Sequence, residues 1–371
     1  MTPEPSTGRA GAGTFTGLFL ITLATLTYQL LLTRIFSVTM YYHFAFVAIS
    51  VTMFGMAVGA LIVYGRPHIF TTARVQTHLA RAALGFALTI VGSFLAHLWL
   101  PFRPELSVYG VASVVLTYAV LSVPFTFSGI VVALALTRFP RQVSALYAVD
   151  LGGAALGCVL LGPLLSVTDG PTAILASAAV AAVGAVLFAG AGDGLPAVRQ
   201  AHGRPEHRRA TANAESHADA NRHGTRGFQR QPEGNSQAFQ VLTAVVVALL
   251  LLATIANTVA ARRDHPWLRL VWVKGVYEAR PIVERWNPFS RIRVIGDPAK
   301  SMRPSGWGFS ATLPSELTAR ELHLDIDSYA GTELTAFNGD VSTVQHLKYD
   351  VTNVAHYLRP SSSVEIGRAH V

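Results

Sequence analysis

Cysteine and charge are the two things this sequence has least of. Cys158 is the single cysteine in 371 residues, and its place inside an apolar run excludes a disulfide framework and a cysteine-based metal site. Charged residues make up 13% of the chain, about half the ~25% of an ordinary soluble domain. A chain so poor in charge cannot clothe one large water-soluble fold. The N-terminus lacks a short hydrophobic core ending at a small-residue cleavage site, so the first apolar run reads as a retained span. No Walker loop, HExxH, CxxC or GxSxG pattern occurs, which leaves no sign of the chemistries those patterns serve.

What is present instead is apolar length. Hydrophobic residues make up 51% of the chain and gather in runs of about 20, the length that crosses a bilayer. The runs are Thr14–Val38, Phe44–Tyr64, Ala82–Leu100, Val108–Thr137, Ala145–Val167, Pro171–Ala191 and Ala238–Ala260. In the fourth, Pro124 and Gly129 predict a kink or strong tilt, and it is too short for two crossings. Gly55-Met-Ala-Val-Gly59 and Gly153-Ala-Ala-Leu-Gly157 are small-xxx-small patterns that let helix backbones approach closely. Residues 1–13 and 192–237 hold almost no large apolar side chains and are expected to be disordered. The second stretch carries His202, His207, His217 and His223; it reads as a solvated loop, and no metal site is assigned to it.

The net charge of +8 has the sign of a nucleic-acid binder, but its placement fits a lipid bilayer. Arg66, Arg74 and Arg81, then Arg138 and Arg141, then seven arginines in the long loop all fall on the N-terminal side of the membrane. That asymmetry predicts a cytoplasmic N-terminus. Seven spans then put everything after Ala260 on the opposite side. Polar groups within spans are costly and each needs a reason: Tyr28, Gln29 and Arg34 in the first, Asp150 in the fifth. An Arg34–Asp150 pair is opposed by depth, because the two sit near opposite ends of parallel helices, ~20 Å apart at ~1.5 Å per residue. These charges are expected to snorkel or to pair with loops, or else to line a polar cavity.

From Leu268 the period changes. Leu268–Lys274 and Arg291–Ile295 are short β-rich runs, and Leu322–Asp327 alternates with Leu322, Leu324 and Ile326 on one face. Asp325 and Asp327 are expected to share the opposite, solvated face. Pro304–Gly308 and Asn338-Gly339 signal turns. Leu347, Val351, Val354, Ala355 and Leu358 recur at helical spacing before Pro360. The fold class that follows is mainly α: a membrane bundle of about seven spans (14–191 and 238–260), then a small antiparallel β-segment plus one helix (261–363).

Several motifs together resemble the multi-span bacterial proteins that carry a C-terminal spermidine-synthase-like domain. In the membrane half they are Leu32-Thr-Arg-Ile-Phe-Ser37, Tyr42-His-Phe-Ala-Phe46 and Leu146-Tyr-Ala-Val-Asp-Leu-Gly-Gly-Ala-Ala-Leu-Gly157. Beyond it are Trp286-Asn-Pro-Phe-Ser-Arg-Ile292, Leu322–Asp327 and Tyr349-Asp-Val-Thr-Asn353. The resemblance implies a bacterial inner-membrane location. It also implies that 261–363 opens a Rossmann-like domain binding S-adenosylmethionine or its decarboxylated form. A polyamine or other small acceptor would be held near Ser290, Tyr349 and Asp350. The family's glycine-rich cofactor loop and catalytic aspartate would fall beyond Val364. This chain alone is therefore expected to bind no cofactor in the family's way and to be inactive, its catalytic residues unassigned. Two departures weaken a strict polyamine assignment and raise methyl transfer beside aminopropyl transfer. Ser290 stands where the soluble enzymes usually have glutamine, and their Tyr-His-Glu or Tyr-Gln-Glu contact reads Tyr349-Asp350-Val351. A transporter or sensor with a soluble binding module is the competing expectation. The last stretch, 364–371, is expected to be foreign, since Glu365-Ile-Gly-Arg-Ala-His-Val371 spells one frame of a common sequencing adapter.

Overall fold

The computed structural model describes residues 9–100, 107–193, 234–359 and 361. The histidines of the long loop, most of the N-terminal stretch and the adapter-like tail lie outside these. Among the described residues, seven helices are long and apolar enough to cross a membrane, so the protein is an integral membrane protein. They are α1 (Ala12–Thr39), α2 (Val47–Gly65), α3 (Val75–Trp99), α4 (Val108–Arg138), α5 (Val143–Val167), α6 (Gly170–Asp193) and α7 (Gly234–Arg262). Pro124 lies inside α4, which nevertheless runs as a single helix of 31 residues. That is ~46 Å at ~1.5 Å per residue, one tilted crossing.

α1 is the axis of the bundle. It packs against α5 and α6 and touches α2, α3 and α4, while α2 lies on α4, α3 bridges α4 and α6, and α7 lies on α6. A helix apolar all round belongs in the middle, and α1 is buried along most of its length. The two small-xxx-small patterns mark the tightest seams. A Cβ at Gly59 would collide with the Thr126 carbonyl of α4, and one at Gly153 with the Phe19 carbonyl of α1. Hydroxyls do the polar work: the Thr25 and Ser128 oxygens are 2.6 Å apart and those of Tyr28 and Ser93 3.1 Å apart. Thr25 also donates back to the Ile21 carbonyl, so it leaves no polar group exposed to lipid.

Beyond α7 lies an antiparallel unit. Strands β1 (Trp272–Val273) and β2 (Val276–Tyr277) form a tight hairpin. The main sheet comprises β3 (Val283–Trp286), β4 (Arg291–Ile295), β5 (Ser301–Met302), β6 (Ala319–Ile326) and β7 (Ala330–Thr335). Central β6 pairs with β4 and β5 on one side and β7 on the other, and β3 pairs with the free edge of β4. In the β3–β4 turn, Asn287 Oδ1 accepts from the Phe289 and Ser290 amides, an Asx turn that sets the register.

Three expectations change. Of Leu268–Lys274 only Trp272–Val273 pairs as strand. The expected helix over 347–358 is broken into 3-10 turns at Val341–Tyr349 and Val351–Asn353 and a five-residue helix, α8 (Val354–Leu358). Asp350 breaks it: its backbone is extended and its carboxylate accepts from the Thr352 amide, a local bond that competes with helix. The third change is the largest. Leu322, Leu324 and Ile326 do share a face, but that face is only half-covered, whereas Glu321 and Asp325 on the other are buried. Asp327 lies past the strand in the turn, so the two aspartates form neither a dyad nor a solvated face.

The unit sits at the end of the bundle opposite residue 10. Ala10 donates its amide to Gln142 in the α4–α5 connection, whereas Lys274 donates its amide to the Thr39 carbonyl at the far end of α1.

Candidate functional site

Two arrangements concentrate polar chemistry. The first is the junction between sheet and bundle. Arg291 and Arg293 are two apart on β4 and so project to one face, where the register sets Arg293 opposite both Glu284 and Asp325. Arg291 grips Glu284 with two bonds of 3.0 Å and reaches Glu278 at 2.8 Å. Arg293 reaches Glu278 at 2.9 Å and Asp325 at 2.6 Å. The Arg291 side chain is 1% exposed, and a buried guanidinium is tolerable only when its donors are met in this way. Burial pushes the Glu284 carboxyl up, but Arg291 outweighs it and holds the group below its ordinary value.

The same face meets the helices. Trp286 is buried against Gly170 at the start of α6 and donates its indole N–H to Glu284. Arg34 of α1 reaches Asp327 at 3.1 Å, and Asp327 also accepts from the Arg291 amide. Lys274 donates to the Asp327 carbonyl at 2.5 Å and lies over the Tyr41 and Tyr329 rings. Lys274, Asp327 and Ser328 all have φ between 50 and 56°, strain that persists only because these contacts over-determine the two turns. The guanidinium and carboxylate groups of this assembly pair with one another, and Lys274 is held by a backbone carbonyl and two rings. The assembly is a clamp holding the sheet on the bundle.

The second arrangement is open. Backbone bonds from Ser310 to Tyr349 and from Val351 to Gly308 hold the 308–310 loop beside 349–351. Between them lies a cleft of about 370 Å³ lined by Tyr349, Asp350, Tyr357, Ser310, Thr312 and Lys348, among others. Asp350 commits one oxygen to the Thr352 amide; among the described residues the other makes no hydrogen bond. Two aromatic rings and a carboxylate on one cleft suit a cationic amine.

The sequence-derived candidates divide accordingly. Tyr349 and Asp350 come together in the cleft, while Ser290 is occupied in the β3–β4 turn, accepting from Asn287 at 2.9 Å. Tyr28 stacks on Phe125 with ring centroids 5.2 Å apart, a packing role. Gln29 and Asp150 are half-buried. Arg34 pairs with Asp327 rather than Asp150, a partner the sequence reading did not name. Sequence reasoning missed Glu278, Glu284, Arg291 and Arg293. The signal was there: charges at spacing two on short β-rich runs, opposite in sign on neighbouring strands.

Comparison with protein-family models, curated proteins and solved structures returns no match. Whether the described residues fit a nucleoside sulfonium donor can be judged on the topology. Every strand pairing among them is antiparallel, and such donors bind where parallel strands end at a glycine-rich turn into a helix. The described residues do not fit that cofactor.

Proposed function

We propose that this chain is a membrane-embedded, spermidine-synthase-like protein whose β-unit holds the amine acceptor in a transferase reaction. Aminopropyl or methyl transfer from a sulfonium donor would be that reaction, with the donor held by residues other than those described. The observation that carries the reading is the cleft, where Tyr349 and Asp350, the residues singled out by the resemblance, stand with Tyr357 around about 370 Å³. A linear diamine or triamine would set an ammonium against Asp350 and its methylenes on the tyrosine rings. Titration of the detergent-purified chain with putrescine or spermidine is expected to give saturable binding, weakened about tenfold by Asp350→Asn, the worth of one charge-assisted hydrogen bond. Absence of saturable binding, or binding indifferent to that change, defeats the proposal.

A sensor or transporter with a soluble binding module is the second reading, and one observation favours it. The unit lies at the opposite end of the bundle from the Gln142 connection, hence across from the arginine-bearing loops, whereas sulfonium donors are cytosolic. Replacing Cys158 with serine and exposed Ser342 with cysteine allows a direct test with a membrane-impermeant thiol reagent. Labelling of intact cells supports the sensor; labelling only after permeabilisation supports the transferase.

A further inference from the structure

The chain folds back after α7 instead of climbing straight into the sheet. It turns at Asp264, where φ is 58°, and the His265 amide donates back to the Ala260 carbonyl. The next residues then drop beside Asn257. Its Oδ1 accepts from the Trp267 and Leu268 amides, both at 3.0 Å. Its Nδ2 donates to the Leu268 carbonyl at 3.2 Å and to Thr172 Oγ1 at 2.6 Å. Arg262 closes α7 five residues after Asn257, and Thr172 lies in the first turn of α6. The bonded backbone therefore sits roughly 3–8 Å inside the helix ends, at ~1.5 Å per residue. Irregular backbone at that depth is tolerated only where its polar groups are met, and the fully buried Asn257 meets three of them. Pro266, Leu268 and Leu270 are buried. Arg269, the one charge among residues 266–270, turns its guanidinium onto the Leu270 and Glu278 carbonyls. Trp267 is left facing outward, 56% exposed.

We infer that residues 265–270 dip back into the membrane interface, held there by Asn257, with Trp267 seated in lipid at the boundary between headgroups and acyl chains. The neighbourhood decides the partner. α7 is a rim helix: it packs mainly on α6, and Leu252, Ile255 and Val259 stand exposed on it, a surface that hydrocarbon covers. An exposed side chain beside that helix and inside its end meets lipid before it meets water. Tryptophan suits the boundary, because its ring lies among the chains while its indole N–H donates to headgroup oxygens. Lipid thus holds the β-unit to the membrane on this side, in addition to the clamp.

The test is tryptophan fluorescence of the full chain in phosphatidylcholine nanodiscs, with acyl chains plain or brominated near the carbonyl end or near the methyl end. Subtracting the spectrum of Trp267→Phe from that of the unaltered chain isolates Trp267. Trp307→Phe isolates Trp307, 87% exposed in the loop before β6, as the water-facing counterpart. Trp267 emission is expected to be blue-shifted and to lose intensity in brominated discs, most with bromine near the carbonyl end. Trp307 emission should be red-shifted and indifferent to bromine. Asn257→Leu, measured against its own Trp267→Phe partner, should lower the Trp267 quenching. Trp267 emission untouched by bromine overturns the proposal without any change at Asn257. Red-shifted, it would mean that the side chain faces water; blue-shifted, that protein, a second copy included, covers it. Strongest quenching from the methyl end would place the ring in the bilayer core and overturns the proposal too. So does quenching that survives Asn257→Leu undiminished.

Discussion

The bundle and the β-unit are built by opposite rules. In the bundle, apolar side chains fill the interior, glycines let backbones touch, and hydroxyls close their bonds on nearby carbonyls. In the β-unit the most thoroughly buried side chains include Arg291, Arg293, Glu321 and Asp325, while Ile326 and Leu334 are about two-fifths exposed. The difference lies in the neighbour each surface meets. A bilayer offers no hydrogen bonds, so helices satisfy their polar groups internally. The sheet faces helix ends that carry Arg34, Asp169 and free backbone carbonyls such as that of Thr39, and there a charged face finds partners.

The comparison breaks most severely at Arg291. Arg291→Met strands Glu284 in a buried site and leaves Glu278 with Arg293 alone, and a loss of about 3–5 kcal/mol is expected. Reversible unfolding in mixed micelles measures it; a loss under about 1 kcal/mol would mean that the network is ornamental. Asp169 is the inverse case. Burial pushes its carboxyl up from 3.8 to about 6, its bonds to Thr172 opposing only in part. A carboxyl raised on folding contributes stability fully present below its unfolded pKa and lost as pH rises through the folded one. In lipid-free detergent, Asp169→Asn should therefore be neutral below pH 3.8 and stabilising by roughly 3 kcal/mol well above pH 6. Glu284 runs the other way: with its folded pKa depressed below 4.5, its contribution is present above 4.5 and lost as pH falls through the folded value. Melting curves of Asp169→Asn and Glu284→Gln against the unaltered chain from pH 3 to 8 separate the two signs, and pH-independent differences for both variants remove the argument.

Within the bundle, Gly59→Ala drives a methyl into the α4 backbone, and a cost of about 1–3 kcal/mol is expected from overpacking. The same change at Gly65, which has nothing near its Cβ position, is the control, expected to be far milder. The smallest effect belongs to Arg285, whose pair with Asp264 at 2.5 Å is half-exposed. Arg285→Ala should cost under about 1 kcal/mol and less at high salt. A larger loss would show that the rim of the unit obeys the same rule as its buried face.

The crossings were legible because each is written in one dimension. The apolar run Val108–Thr137 becomes helix Val108–Arg138, and Ala145–Val167 becomes Val143–Val167. The two glycine seams were legible too, since a small residue every fourth position predicts close approach whatever the partner. Strand alternation at Leu322–Ile326 was correct as a period and misleading as a burial pattern. Period two says which residues share a face; it does not say which face meets the protein. Tyr349 and Asp350 reached the cleft as a pair, but the helix expected to carry them did not form, because local Asp350 bonds are invisible to hydrophobic spacing.

The sequence by itself determined a polytopic chain of seven spans with a small antiparallel unit after them, since apolar length and alternation depend only on near neighbours. The tertiary structure alone decided where the charges go. Arg34 finds Asp327 across 293 positions and Arg293 finds Asp325 across 32. Such pairs exist only once strand register and the docking of sheet on bundle are fixed. They persist there because withdrawal from water makes an unmatched charge too costly to keep.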